Sequence, residues 1–82
     1  MTTDHAFVHI TWLDAHSGTD QWTQIENLDQ EGCLVHTAGF LLPDAKAGHV
    51  TIYQSRTPNN DVDHVLHVPV AMVQTIQTID LT

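Results

Sequence analysis

The chain has 82 residues and is strongly acidic: ten Asp and Glu stand against two Lys and Arg, giving a formal net charge of −8. Two cations cannot neutralise a run of phosphates, so direct binding to nucleic acid is not expected. No apolar stretch is long enough to cross a bilayer, and the polar first residues do not predict a secretion signal. The single cysteine, Cys33, cannot form an internal disulfide, which is typical of a reducing compartment. We therefore expect one cytoplasmic domain over residues 1–82 that has no membrane partner.

Alternating apolar and polar residues predict five short β-strands, so the fold class is mainly β. The first strand turns Val8, Ile10 and Trp12 to one side. The second contains Gly39, and a glycine inside a strand commonly marks a bulge or a sharp bend. The predicted strands cover residues 7–13, 33–42, 50–56, a segment ending at Pro69, and 73–81. Turn residues at 43–48 and 57–61 separate the second, third and fourth strands.

The segment 21–28, after the first strand, is predicted to form a short helix or a structured loop. Trp22, Ile25 and Leu28 recur there every three residues. So short a segment is not stable alone. We expect these three side chains to pack on the sheet.

The passage around Pro69 predicts a corner between the last two strands. Proline lacks the N–H that a ladder needs and has a fixed φ, so the strand ends there. The three residues 70–72 suffice for a single tight turn. From Val73 onward, alternation places Thr75 and Gln77 on the same face as Val73. Ile76 interrupts this pattern, because it continues a three-residue spacing that a helix could use, but the many β-branched residues favour a strand.

This order of strand, proline, 3₁₀ turn and strand over residues 68–73 resembles a passage of SH3-like barrels. The resemblance covers residues 33–81 and implies a small five-stranded SH3-like or Sm-like β-barrel. The acidic loop and aromatic peptide groove of true SH3 domains are not recognisable, so binding of proline-rich peptides is not implied.

A second resemblance concerns TWLDA at 11–15, TAGFLL at 37–42 and HVLHVPVAMV at 64–73. These segments look like small proteins encoded by bacteriophages, several of which oligomerise and sequester nucleotide signals of host immunity or block a host enzyme. The resemblance implies a non-enzymatic homo-oligomer that holds a nucleotide-type ligand at subunit contacts. The alternative is an acidic inhibitor of a host enzyme or a structural viral component.

A small anionic ligand needs only one or two cationic groups, and Arg56 can fork onto a phosphate or a carboxylate. Trp12 and Tyr53 could add an aromatic surface with hydrogen-bonding edges. The candidate ligand-binding residues are Trp12, Asp14, His16, Tyr53, Ser55 and Arg56. The competing interpretation makes Trp12 a core residue and Arg56 a solvated strand end.

No metal site, catalytic set or cofactor is predicted. His64 and His67 lie three residues apart, so on a strand they point to opposite faces. No CxxC or HExxH spacing is present. Cys33 as a nucleophile and Asp14 with His16 as an acid and its partner lack a supporting signature, although a hydrolase would depend on that last pair.

Overall fold

The computed structural model describes residues 4–14, 22–27 and 32–81. Within them the backbone is mainly β, with seven strands and two 3₁₀ turns, at Ile25–Asn27 and Val70–Met72. The strands are β1 (Phe7–Asp14), β2 (Cys33–Leu41), β3 (His49–Tyr53), β4 (Ser55–Arg56), β5 (Val62–Asp63), β6 (Leu66–Pro69) and β7 (Val73–Thr78). No helix in these ranges is long and apolar enough to span a membrane.

Five strands form one antiparallel sheet in the order β6-β3-β2-β1-β7, and β4 pairs with β5 in a separate two-stranded ladder. β1 pairs with β2 on one side and β7 on the other. β2 pairs with β1 along most of its length and with β3 only at Phe40 and Leu41. One strand therefore serves both halves of the sheet. The described strands form an open sheet, since no pairing joins β6 to β7, and the closed barrel of the prediction is not found.

The core is small and lies on one face of β1. Val8 and Ile10 on β1 and Ile52 on β3 are at most 1% exposed and form its centre. Trp12 and Val73 pack against them. Val8, Ile10 and Trp12 thus all lie on the core side of β1, which confirms the alternation predicted for the first strand.

Gly39 is needed for close packing rather than for a bulge. The β1–β2 register passes through it without a shift, from Phe7 opposite Phe40 to Val8 opposite Gly39. A Cβ at position 39 would lie 2.9 Å from the carbonyl oxygen of Tyr53 and 3.2 Å from the Cβ of Ile52. Of the predicted bulge or sharp bend, the bulge is therefore wrong here, because the pairing with β1 continues without a shift and the glycine instead lets the backbone of β3 approach β2 closely.

A register shift occurs instead between β1 and β7. Thr11 pairs with Thr75, but Trp12 pairs with Val73, so Gln74 is an extra residue on β7. An extra residue turns the side chains before it to the other face. Val73 thus joins Trp12 on the core side, whereas strict alternation had predicted that it shares a face with Thr75.

The segment after β1 departs most from its prediction. Of 21–28, the residues Gln21 and Leu28 lie outside the described ranges, and Ile25–Asn27 forms a single 3₁₀ turn. Trp22 and Ile25 are exposed rather than packed on the sheet, at 103% and 84%. One three-residue turn is too short to present an apolar stripe to a sheet. The tight turn predicted after Pro69 is confirmed at Val70–Met72.

Candidate functional site: a pocket beside Arg56

A depression in the described part of the chain lies where the ends of β2, β3 and β4 meet the residues flanking β1 and β7. Its volume is about 400 Å³, within the range of about 300–1,000 Å³ typical of small-molecule sites. We call it the Arg56 pocket; it is lined by Asp4, His5, Phe40, Tyr53, Arg56 and Leu81. The pocket therefore combines one cation, one carboxylate and several rings.

The aromatic floor of the pocket follows from strand register. Phe40 and Tyr53 are cross-strand partners on β2 and β3, and their rings stack with centroids 5.6 Å apart. Phe7, the β1 partner of Phe40, adds an edge-on contact at 5.1 Å. Tyr53 is only 2% exposed, whereas Phe40 is half-buried. Phe40 is thus the ring with a surface left for a ligand, and Tyr53 supports it from below.

His5 connects the aromatic floor to the cation. Its Nδ1 lies 2.7 Å from the hydroxyl oxygen of Tyr53 and 3.4 Å from Nη1 of Arg56. A guanidinium can only donate, so both contacts are attractive when Nδ1 of His5 is the unprotonated nitrogen. The Tyr53 hydroxyl and Arg56 then both donate to His5. The two donors share the single lone pair of Nδ1: the bond from Tyr53 fixes His5, and the longer contact at 3.4 Å orients the half-buried guanidinium at the pocket wall.

The electrostatics of the pocket are mixed. Arg56 supplies a fork of donors suited to phosphate or carboxylate. Asp4 places a carboxylate in the same lining, and a carboxylate accepts hydrogen bonds but repels an anion. A ligand carrying both an anionic group and hydroxyl donors satisfies this lining better than a bare anion.

Of the six residues predicted from sequence, three lie at or beside this pocket, and one lies outside the described ranges. Tyr53 and Arg56 line the pocket itself. Ser55, beside them on β4, lines a smaller neighbouring depression of about 160 Å³ that Arg56 also borders. His16 lies outside the described residues.

The other two predicted residues lie at the far end of β1. Trp12 is five residues from Phe7, which is roughly 17 Å at 3.3 Å per residue, and it points to the opposite face. It packs on the core, and its indole N–H donates to the Thr37 hydroxyl at 3.0 Å. Asp14 is exposed at the strand end, opposite Cys33. Within one chain, a small ligand in the Arg56 pocket reaches neither of them.

Sequence reasoning missed Asp4, His5, Phe40 and Leu81 as parts of this site. Phe40 was visible only as an apolar residue late in a predicted strand. His5 precedes the first strand, and no local pattern ties it to Tyr53, which is 48 residues away. Cross-strand register, which the sequence does not reveal, brings them together.

Comparison of the chain with protein-family models, with curated proteins and with solved structures gives no match.

Proposed function

We propose that this protein is a non-enzymatic binding protein that holds a small anionic ligand of the nucleotide type in the Arg56 pocket. One observation carries the proposal: Arg56, an oriented cation, lines the same pocket as Phe40, a half-buried ring. A nucleotide presents a flat base and a phosphate, and stacking plus a guanidinium fork match these two parts. The Asp4 carboxylate adds an acceptor for a sugar hydroxyl.

The sequence resemblances extend this proposal. The likeness to bacteriophage proteins suggests that binding serves to sequester a nucleotide signal, in a homo-oligomer whose subunit contacts enclose the ligand. The likeness to SH3-like barrels is retained as a proposal for the fold family; the turn at Val70–Met72 supports it.

Isothermal titration calorimetry with AMP, a cyclic nucleotide, ADP-ribose and inorganic phosphate tests the proposal. We expect heat with at least one nucleotide, and Arg56→Gln should weaken that binding by about 10–150-fold, the equivalent of about 1.5–3 kcal/mol for a charge-assisted hydrogen bond. Lys46→Gln is the matched control. This substitution removes the only other Lys or Arg side chain of the sequence, and Lys46 does not line the pocket. The nucleotide affinity of the Lys46→Gln variant should therefore match that of the wild type.

A second substitution separates stacking from charge. Phe40→Leu keeps an apolar side chain but removes the flat ring. It should weaken nucleotide binding more than phosphate binding, provided that thermal melting shows a folded variant. Absence of heat with every ligand, or equal losses in Arg56→Gln and Lys46→Gln, would contradict the proposed function.

The alternative function, a protein-binding inhibitor or structural component, is favoured by a different observation. β7 is an edge strand of the described sheet and carries exposed Ile76, followed by exposed Ile79. Unpaired edges can add a strand from a partner. Salt-sensitive retention of a host protein, together with no nucleotide binding, would favour this alternative.

A further inference from the structure

Two histidines lie side by side on the face of the sheet opposite the core. His9 is on β1 and His36 on β2; their register partners are Ala38 and Thr11, so the two are diagonal neighbours on one face. Nε2 of His9 and Nδ1 of His36 are 3.0 Å apart. The rings are nearly parallel, with planes 13° apart and centroids 5.2 Å apart. We call these two residues the His9–His36 pair.

The separation of these two nitrogens suits a shared metal ion. Nitrogen ligands of Zn²⁺ lie about 2.0–2.1 Å from the metal, so two of them at angles of 90–109° are about 2.9–3.4 Å apart. The observed distance of 3.0 Å falls in this range. Both side chains project from paired strands, β1 and β2, whose ladder runs over eight residue pairs. The scaffold therefore holds the two side chains near this spacing. Because the ring centroids are 5.2 Å apart, the facing lone pairs point almost directly at each other, and each ring turns by roughly 40° to face a shared ion.

The protonation chemistry is also compatible with a metal. In the hydrogen bond, one of the two facing nitrogens carries a proton and the other accepts it. For both to bind a cation, the donor ring loses the proton from its facing nitrogen to solvent and takes one up at its other nitrogen. Both rings are then neutral with lone pairs facing the ion, and no net proton is released.

We propose that His9 and His36 together bind one divalent transition-metal ion of the class that imidazole favours, such as Ni²⁺, Cu²⁺ or Zn²⁺. Within residues 4–14, 22–27 and 32–81, no cluster of three or more His, Cys, Asp or Glu could hold a metal. Water therefore completes the coordination, and the site is open and exchangeable rather than structural. The net charge of −8 also raises the local concentration of cations.

The second close pair of histidines is less suited. The rings of His49 and His67 are nearly perpendicular, with centroids 6.3 Å apart. Each Nδ1 already has a partner: the carbonyl oxygen of Ala47 lies 2.8 Å from that of His49, and the Thr51 hydroxyl 2.8 Å from that of His67. His49 therefore provides a control for histidine content in a similar half-buried setting.

Calorimetry with Ni²⁺ and Zn²⁺ on the full chain tests the proposal. The wild type should bind one ion per chain in its tightest site. Loss of an outer-shell partner commonly costs about 10–100-fold in metal affinity, so losing a direct ligand in His9→Gln or His36→Gln should cost at least about tenfold. His49→Gln and His64→Asn should stay within about twofold of the wild type; asparagine is chosen because residue 64 has φ of 49°.

Imidazole ¹⁵N NMR during Zn²⁺ titration provides an independent readout. The resonances of Nε2 of His9 and Nδ1 of His36 should shift first. His36 is exposed, so His36→Gln should fold even if His9→Gln does not, and thermal melting identifies any unfolded variant. Wild-type affinity in a folded His36→Gln, an equal loss in His64→Asn, or first shifts at other histidines would overturn the proposal.

Discussion

Tyr53 illustrates how a residue that lines the site can act by positioning its neighbours. Its ring is buried beneath Phe40, and its hydroxyl reaches only inward, to His5. A buried hydroxyl needs such a partner, because an unsatisfied polar group is costly. We therefore assign Tyr53 a positioning role: it fixes His5, which in turn contacts Arg56.

Gly39 is the residue at which one added methyl group should matter most. A Cβ there would meet the Tyr53 carbonyl oxygen at 2.9 Å, and backbone cannot yield as a flexible side chain can. We expect Gly39→Ala to lower the free energy of unfolding by about 1–3 kcal/mol, the usual cost of overpacking. Urea denaturation followed by circular dichroism measures this.

The control is Gly32→Ala. A Cβ at position 32 would meet the Leu13 side chain at 3.1 Å, and a leucine side chain can move. Its cost should stay within about 0.5 kcal/mol, as for ordinary surface substitutions. Equal losses of unfolding free energy in the two variants would show that the approach of β3 to β2 at Gly39 is not tight.

Among the strands, β1 is paired on both sides over the longest stretch. Residues 8–12 pair with both β2 and β7. The backbone N–H groups of that stretch therefore face a neighbouring strand rather than solvent, since successive amides of a strand point alternately to its two neighbours. β7 has one described neighbour, so alternate amides there face away from the sheet.

Amide hydrogen exchange should reproduce this difference. We expect continuous protection along residues 8–12 and alternating protection along residues 75–78, measured residue by residue by NMR. Buried strands exchange only in large openings, whereas edges open locally. Alternating protection in β1 would contradict its pairing with β7, and continuous protection in β7 would contradict the open edge.

At the scale of the whole molecule, the core is small for the surface that surrounds it. Only five hydrophobic residues of the described ranges are fully buried: Val8, Ile10, Ile52, Tyr53 and Val68. Several large apolar side chains, including Val70, Met72 and Leu81, are exposed.

A small buried core together with many exposed apolar side chains is typical of a chain that gains stability by association. We expect sedimentation equilibrium to show a homo-oligomer, and the urea midpoint to rise with protein concentration over a hundredfold range. Folding coupled to association follows mass action, which produces this rise. A monomer with a concentration-independent midpoint would contradict it.

The sequence by itself determined the local features of this protein. Alternation located β1, β2 and β7 to within a few residues, and Pro69 located the tight turn, because strand periodicity and proline geometry act between chain neighbours. Composition likewise identified Arg56 as one of only two Lys and Arg side chains that could face an anion. These inferences need no knowledge of distant contacts.

Only the tertiary structure decided which side chains meet. The approach of His5 to Tyr53, the pairing of His9 with His36 and the separation of Trp12 from Arg56 depend on strand register. Register is a non-local property, and a slip of one residue reverses every face. The shift at Gln74 demonstrates this, because a single extra residue moved Val73 into the core.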